Sequence, residues 1–218
     1  MPGMDGQALL IFDLDGTLYR TASSFLPTMR SVFAASGIDA PPDDEIMGHV
    51  GEPFSAFLDW ALERGLGPNR DALARRIADA EFASISERGE LFSGVVETLQ
   101  DLKERGYSLA ICTNGDQDYA GLILRTFGIA GMFDAISTHE DERKSKTRMI
   151  AELRSRWPGR RAFVTGDRIH DIEAGHANGC TVIGAIYGYG SMDELSDADV
   201  CIERFDELIS VVAAEGQN

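Results

Sequence analysis

The sequence predicts an α/β fold, a doubly wound parallel sheet interrupted by an all-helical insertion, and three observations carry that prediction. Beyond residue 90, short β-rich runs alternate with helical stretches, the rhythm of parallel βα units. Leu9-Leu10-Ile11-Phe12 is a continuous apolar run, as expected of a strand covered on both faces. Residues 20–89 break the rhythm, offering helix-like segments and no convincing strand. The expected division is a core of residues 1–19 and 90–218 with a helical module of residues 20–89 inserted after the first strand.

Each element follows from its local pattern. Within the insertion, helices are expected near Pro27 to Ala35, Pro53 to Leu62 and Arg70 to Ile85, with Phe54, Phe57 and Phe82 at helical spacings that read as the module's core. Val95, Val96, Leu99 and Leu102 keep helical spacing up to Gly106, after which Tyr107 to Cys112 resumes as a strand. A helix over Tyr119 to Phe127, a strand near Phe133 to Ser137, and a helix from about Arg148 to Trp157 come next. A strand over Ala162 to Val164, a helix over Ile169 to Asn178, a strand over Thr181 to Ala185 and a last helix over Phe205 to Ala213 complete the chain.

Composition bounds the function. With 218 residues, 44% of them hydrophobic and 26% charged, the chain has the mixture of an ordinary globular protein that can bury a sizeable core. Thirty-six acidic against twenty basic side chains give a net charge of -16, which repels polyanions and disfavours nucleic acid and anionic membranes as partners. A small phosphorylated metabolite is compatible with this charge, because a divalent cation and a lysine can make one pocket locally positive. No segment approaches the roughly 18 apolar residues of a membrane span. Met1 to Gly6 carries Asp5 and no basic stretch before a short apolar run, so the expectation is a cytoplasmic protein, a monomer or homodimer. Cys112, Cys180 and Cys201 lack metal-type spacing and read as reduced core residues.

Chemistry-bearing residues gather where strands end. The first strand runs into Asp13-Leu14-Asp15-Gly16-Thr17, and while the backbone stays extended, residues two apart share a side, so both carboxylates can face one site. Alone, the stretch fits a turn-rich loop equally well. The second strand ends in Thr113-Asn114-Gly115, a hydroxyl and free N–H groups suited to phosphate oxygens, and also a common turn sequence. Lys144-Ser145-Lys146-Thr147 precedes a helix, and the next strand ends in Thr165-Gly166-Asp167-Arg168-Ile169-His170-Asp171. If a helix starts there, Asp167 and Asp171 share a face and form the oxygen-rich cluster Mg²⁺ prefers, although an Asp at a helix start also serves as an N-cap.

Taken in order, Asp-x-Asp, Thr, Lys and Asp at successive strand ends resemble the four motifs of the haloacid dehalogenase (HAD) superfamily, over the whole chain. The insertion lies where members with a helical cap carry theirs. Gly51-Glu52-Pro53-Phe54 looks like the cap loop of phosphoglycolate-phosphatase-like members, and Tyr187-Gly188-Tyr189-Gly190-Ser191 looks like the same branch. The resemblance implies a Rossmann-like core and a Mg²⁺-dependent phosphatase acting on a small phosphomonoester. In that mechanism Asp13 is the nucleophile that becomes an aspartyl-phosphate, and Asp15 is the general acid and then the base. Thr113 and a lysine bind the phosphoryl oxygens, with Gly16, Thr17, Asn114 and Gly115 around them. Asp13, the main-chain carbonyl of Asp15, Asp167 and Asp171 belong to the metal site. Gly51, Glu52, His49 and Arg20 are candidate substrate contacts.

Where the family commonly shows Lys-Pro-x-Pro, neither proline is present, and Lys144 and Lys146 both qualify. Lys146 is preferred for its spacing to the helix beginning at Met149 and Ile150. An acid at position 15 speaks for phosphate chemistry, since the dehalogenating relatives lack one there. A phosphomutase remains an alternative. A phosphonate hydrolase would need a cap lysine, and none occurs between Thr21 and Gly89. From another class, a phosphate-sensing or partner-binding protein built like a receiver domain is the remaining rival.

Overall fold

Four apolar residues in succession form the central strand, β1 (Leu9–Phe12), and every one of them is buried. Alternate side chains serve opposite faces of the sheet: Leu10 and Phe12 pack into one apolar cluster, Leu9 and Ile11 into the other. The computed structural model describes residues 8–52, 54–139 and 144–215, so Pro53 of the suspected cap loop and the Met1 to Gly6 stretch lie outside the described residues.

After β1 come α1 (Ala22–Ala35), α2 (Asp43–Met47), α3 (Phe54–Glu63) and α4 (Arg70–Arg88), with no sheet strand among the described residues between them. The chain then alternates as α5 (Val95–Glu104), β2 (Ser108–Cys112), α6 (Gln117–Thr126), β3 (Ala135–Ser137) and α7 (Lys146–Ser155). It continues as β4 (Ala162–Gly166), α8 (Ile169–Ala177), β5 (Thr181–Ala185), β6 (Val200–Ile202) and α9 (Leu208–Glu215). All six strands are parallel, in the order β3-β2-β1-β4-β5-β6, the doubly wound Rossmann-like arrangement. The order reverses between β1 and β4, and in such sheets the crevice beyond the carboxyl ends at that point is where ligands bind.

One face of the sheet is covered by α5, α6 and α9, through Val95, Leu99, Ile123 and Leu208, and the other by α7 and α8, through Met149, Ile150, Leu153 and Ala174. Helices α1 to α4 bury a cluster of their own that includes Met29, Phe33, Ile46, Phe57, Leu73 and Ile77. This segment leaves the sheet beside Asp15, where Tyr19 bridges to Leu91 as the chain returns.

Several elements differ from the sequence expectation. Helix α1 begins five residues before Pro27, because burial of Ser24 and Phe25 favours extending the helix and offsets the N–H that the proline lacks. Helix α2 and strand β6 are too short for periodicity to reveal. Cys201 lies exposed on the edge strand β6, not in the core, whereas Cys112 and Cys180 are buried. Phe54 is 42% exposed and Phe82 half-buried, so of the three phenylalanines assigned to the module's core only Phe57 is fully buried there. Among the described residues no helix is long and apolar enough to cross a membrane.

Candidate active site

Asp13 follows β1 directly and keeps its backbone N–H in the ladder, donating to the Thr165 carbonyl at 2.9 Å. Thr113 directly follows β2 and Asp167 directly follows β4, the two neighbours of β1, so three motif side chains meet at the point where strand order reverses. Lys146, the first residue of α7, reaches in from the side. Its Nζ lies 2.5 Å from Asp13 Oδ1 and 2.6 Å from Asp171 Oδ1. Lys144, two residues earlier, instead pairs with Glu152 at 2.5 Å and does not enter this group.

Asp171 is not an N-cap but the third residue of α8, and its Oδ2 accepts from the Arg168 N–H at 3.1 Å, closing a capping box. Asp167 precedes that helix, so the two acids converge across the turn and not along one helix face. Carboxylate oxygens of Asp13, Asp167 and Asp171 lie within 4.8 Å of one another, all buried. Asp167 Oδ2 accepts from the Tyr189 N–H at 2.7 Å, while its Oδ1 is buried without a hydrogen-bond partner. An all-oxygen set with an orphaned carboxylate oxygen fits a hard divalent cation. Two glycines make room for Asp167. Gly16, at φ 79, adopts a left-handed conformation and, like Gly188, leaves no space for a Cβ beside that carboxylate.

Burial and crowding set the electrostatics. Burial pushes the Asp13 carboxyl well above the usual range, opposed by the Lys146 ammonium and reinforced by Asp171, Asp167 and Asp15. Asp167 is pushed up to about 7 by burial and by Asp171. Burial opposes the charge on Lys146, but Asp13 and Asp171 outweigh it and raise its pKa, so the lysine remains an ammonium. Burial also raises Asp15, whose Oδ1 accepts from Thr21 Oγ1 at 2.7 Å and from Tyr119 Oη at 2.6 Å. Both hydroxyls favour its ionised form.

Above this floor lies a cavity of about 330 Å³, with Asp13, Asp15, Thr113, Asn114 and Gly115 below and α1, α3 and α4 above. His49, Gly51 and Glu52 line it, and His49 Nδ1 stands 3.1 Å from Glu52 Oε2 with its ring 4.7 Å from that of Trp60. Core side chains clasp the loop they belong to. Asn114 Nδ2 donates to the Gly51 carbonyl at 2.9 Å, and the Arg168 guanidinium donates to the Gly48 and Val50 carbonyls while pairing with Glu194.

Not every sequence candidate reaches the cavity. Arg20 points away and pairs with Glu90 at 2.9 Å, both more than half exposed. Thr17 is fully buried beneath the site with its hydroxyl unpartnered, and Gly16 acts through Asp167. Sequence reasoning missed Thr21, Tyr119 and Glu81. Tyr119 stands in the first turn of α6 and Glu81 in the middle of α4, positions that carry no local signal. Tyr189, noted only as part of a Gly-Tyr loop, holds Asp167 through its backbone and accepts at its hydroxyl from the Ala22 N–H at 2.9 Å.

Comparison with known proteins bears on this arrangement. Residues 10–185 match the family profile of haloacid dehalogenase-like hydrolases. The phosphoglycolate phosphatase of Agrobacterium fabrum is 30% identical, over 92% of this chain and 90% of its own. The tyrosine-protein kinase PtkA of Mycobacterium tuberculosis is 33% identical, over 88% of this chain and 66% of its own. A haloacid dehalogenase-like hydrolase from Streptococcus pneumoniae superposes with a TM-score of 0.82 at 22% identity, covering 95% of this chain and 99% of the other, a likeness of fold.

Proposed function

The chain belongs to the haloacid dehalogenase-like hydrolases and is a phosphatase of their phosphoglycolate-phosphatase-like branch, and from that premise we propose that it is a Mg²⁺-dependent enzyme that hydrolyses a small phosphomonoester through an aspartyl-phosphate on Asp13. The observation that carries this reading is the contact of Lys146 with Asp13 and Asp171 at the edge of a buried three-carboxylate cluster, whose member Asp13 lines a cavity roofed by residues 20–89.

Asp13, Asp167 and Asp171, with the main-chain carbonyl of Asp15, would hold the cation. When bound, Mg²⁺ supplies charge neutralisation that lets an anionic nucleophile meet an anionic phosphoryl group. Lys146 binds phosphoryl oxygens from one side as a fixed ammonium, and the Thr113 hydroxyl, itself held by the Gly115 N–H, donates from the other with the Asn114 N–H. A carboxylate oxygen of Asp13 attacks phosphorus, and the bond from phosphorus to the ester oxygen breaks. Asp15, kept protonated more readily by burial, gives its proton to that oxygen. Water then attacks the phosphorus of the aspartyl-phosphate. Asp15 takes its proton back from the water, the bond to Asp13 breaks, and inorganic phosphate leaves.

Thr21 and Tyr119 orient Asp15 from Oδ1, which leaves Oδ2 for the leaving group. The segment 20–89 acts as a cap that excludes bulk water from the intermediate.

The test is phosphate release from a panel of phosphomonoesters with Mg²⁺ or with chelator, for the native chain and for Asp13→Asn. Metal-dependent release that drops at least about a thousandfold in the variant is the expected result. Transfer of the phosphoryl group to a second organic acceptor, with no free phosphate, would move the assignment to a mutase or kinase.

A further inference from the structure

The cavity is poorly matched to a short, doubly anionic substrate. Its upper wall is built from Phe25, Phe54, Phe57, Leu58 and Phe82, and at about 330 Å³ a phosphoryl group with a two-carbon tail would leave most of it empty. Among the ionisable cap side chains that line it, His49 pairs with Glu52 and Arg70 with Asp59, which leaves Glu81. Glu81 of α4 lines the cavity, is 8% exposed, and has no hydrogen-bond or ion-pair partner among the described residues.

A carboxyl in such a place costs free energy unless something bonds to it, and none of the described residues does. Burial pushes Glu81 up to about 8, with Asp15 and Asp116 adding to the shift. Two further carboxyls, Glu52 of the cap and Asp116 at the start of α6, line the cavity with Glu81. Arg70 is the arginine in the lining, and it is paired with Asp59. A second anion on the leaving group would meet like charge there.

We propose that Glu81 selects the leaving group: an apolar, ring-sized body carrying an amine or hydroxyl that bonds to the Glu81 carboxyl, rather than a short chain ending in a carboxylate. This deepens the phosphatase reading and rests on it. Glu81 is then the specificity-determining residue of the cap, and its partner arrives with the substrate.

Four compounds separate the possibilities: phenyl phosphate, its 4-(2-aminoethyl) and 4-(carboxymethyl) derivatives, and 2-phosphoglycolate. The native chain is expected to turn over the aminoethyl compound with the highest kcat/KM and the two carboxylates with the lowest. Glu81→Gln should lower the ratio of kcat/KM for the aminoethyl over the carboxymethyl compound by about tenfold, the weight of one charged hydrogen bond. A native preference for 2-phosphoglycolate, or a ratio unmoved by the substitution, overturns the inference while leaving the phosphatase reading intact. If none of the four releases phosphate, the phosphatase reading falls. Calorimetric affinities of the same compounds for Asp13→Asn, with and without Glu81→Gln, then decide the inference alone: the same order supports it, and any other overturns it.

Discussion

Two lysines separated by one residue have opposite surroundings. Lys146 is 8% exposed between two carboxylates, whereas Lys144 is paired on the surface with Glu152. In the proposed mechanism Lys146→Ala should lower kcat/KM for phosphate release by at least about a hundredfold, because it removes the buried charge beside Asp13. Lys144→Ala should stay within about threefold, since exposed pairs contribute little. The reverse order would transfer the role to Lys144.

Glu81 makes a separate prediction about stability. Its folded-state value of about 8 stands above the 4.5 of an ordinary glutamate, so between those values the folded chain holds the extra proton. The stabilisation tied to that proton is complete below about 4.5 and is lost as the pH rises through about 8. Glu81→Gln should therefore be more stable than the native chain at pH 8 by a few kcal/mol and nearly equal at pH 4.5. Denaturant melts of both proteins across that range check it; parallel curves would mean that Glu81 is solvated in solution.

The loop between α2 and α3 is held by the core as well as by its own turns. Arg168, at the start of α8, donates to the Gly48 and Val50 carbonyls, and Asn114, after β2, donates to Gly51. Charged hydrogen bonds of this kind contribute about 1.5–3 kcal/mol, so Arg168→Ala should speed hydrogen exchange of the 48–52 amides by about tenfold or more. Unchanged exchange would show that the loop closes without the arginine. The same tertiary dependence explains α1, which continues through Pro27 because its first turn is buried. It also explains β6, a three-residue edge strand with Cys201 facing out, whose pairing with β5 no local pattern announces.

Across the whole molecule the net charge is -16, and three of the acidic groups are buried together with one ammonium, Lys146, beside them. That imbalance strains the metal-free fold and makes a cation a stabilising ligand. Mg²⁺ at about a hundred times its dissociation constant should stabilise the fold by about 2.7 kcal/mol, raising Tm by about 5–10 °C. The rise should vanish in Asp167→Asn, whatever that variant does to the melting temperature without metal. A scan with and without Mg²⁺ measures it, and an equal rise in the variant would place the cation elsewhere.

The sequence by itself determined the parallel sheet, the helical insertion after β1, and the positions of Asp13, Asp15, Thr113 and Asp167. Each of these is written locally, as an apolar run followed by a turn bearing polar side chains, and local pattern survives without knowledge of the fold. Tertiary structure alone decided what meets what. Lys146 reaches Asp13 from 133 residues away and Tyr119 reaches Asp15 from 104, while Lys144 and Arg20 turn to partners on the surface. Glu81 becomes informative only once α4 is laid over the cavity with no described residue to bond it. The physical reason is the same in each case: the cost of burying a charge depends on the groups that packing brings within a few ångströms, and sequence spacing does not specify them.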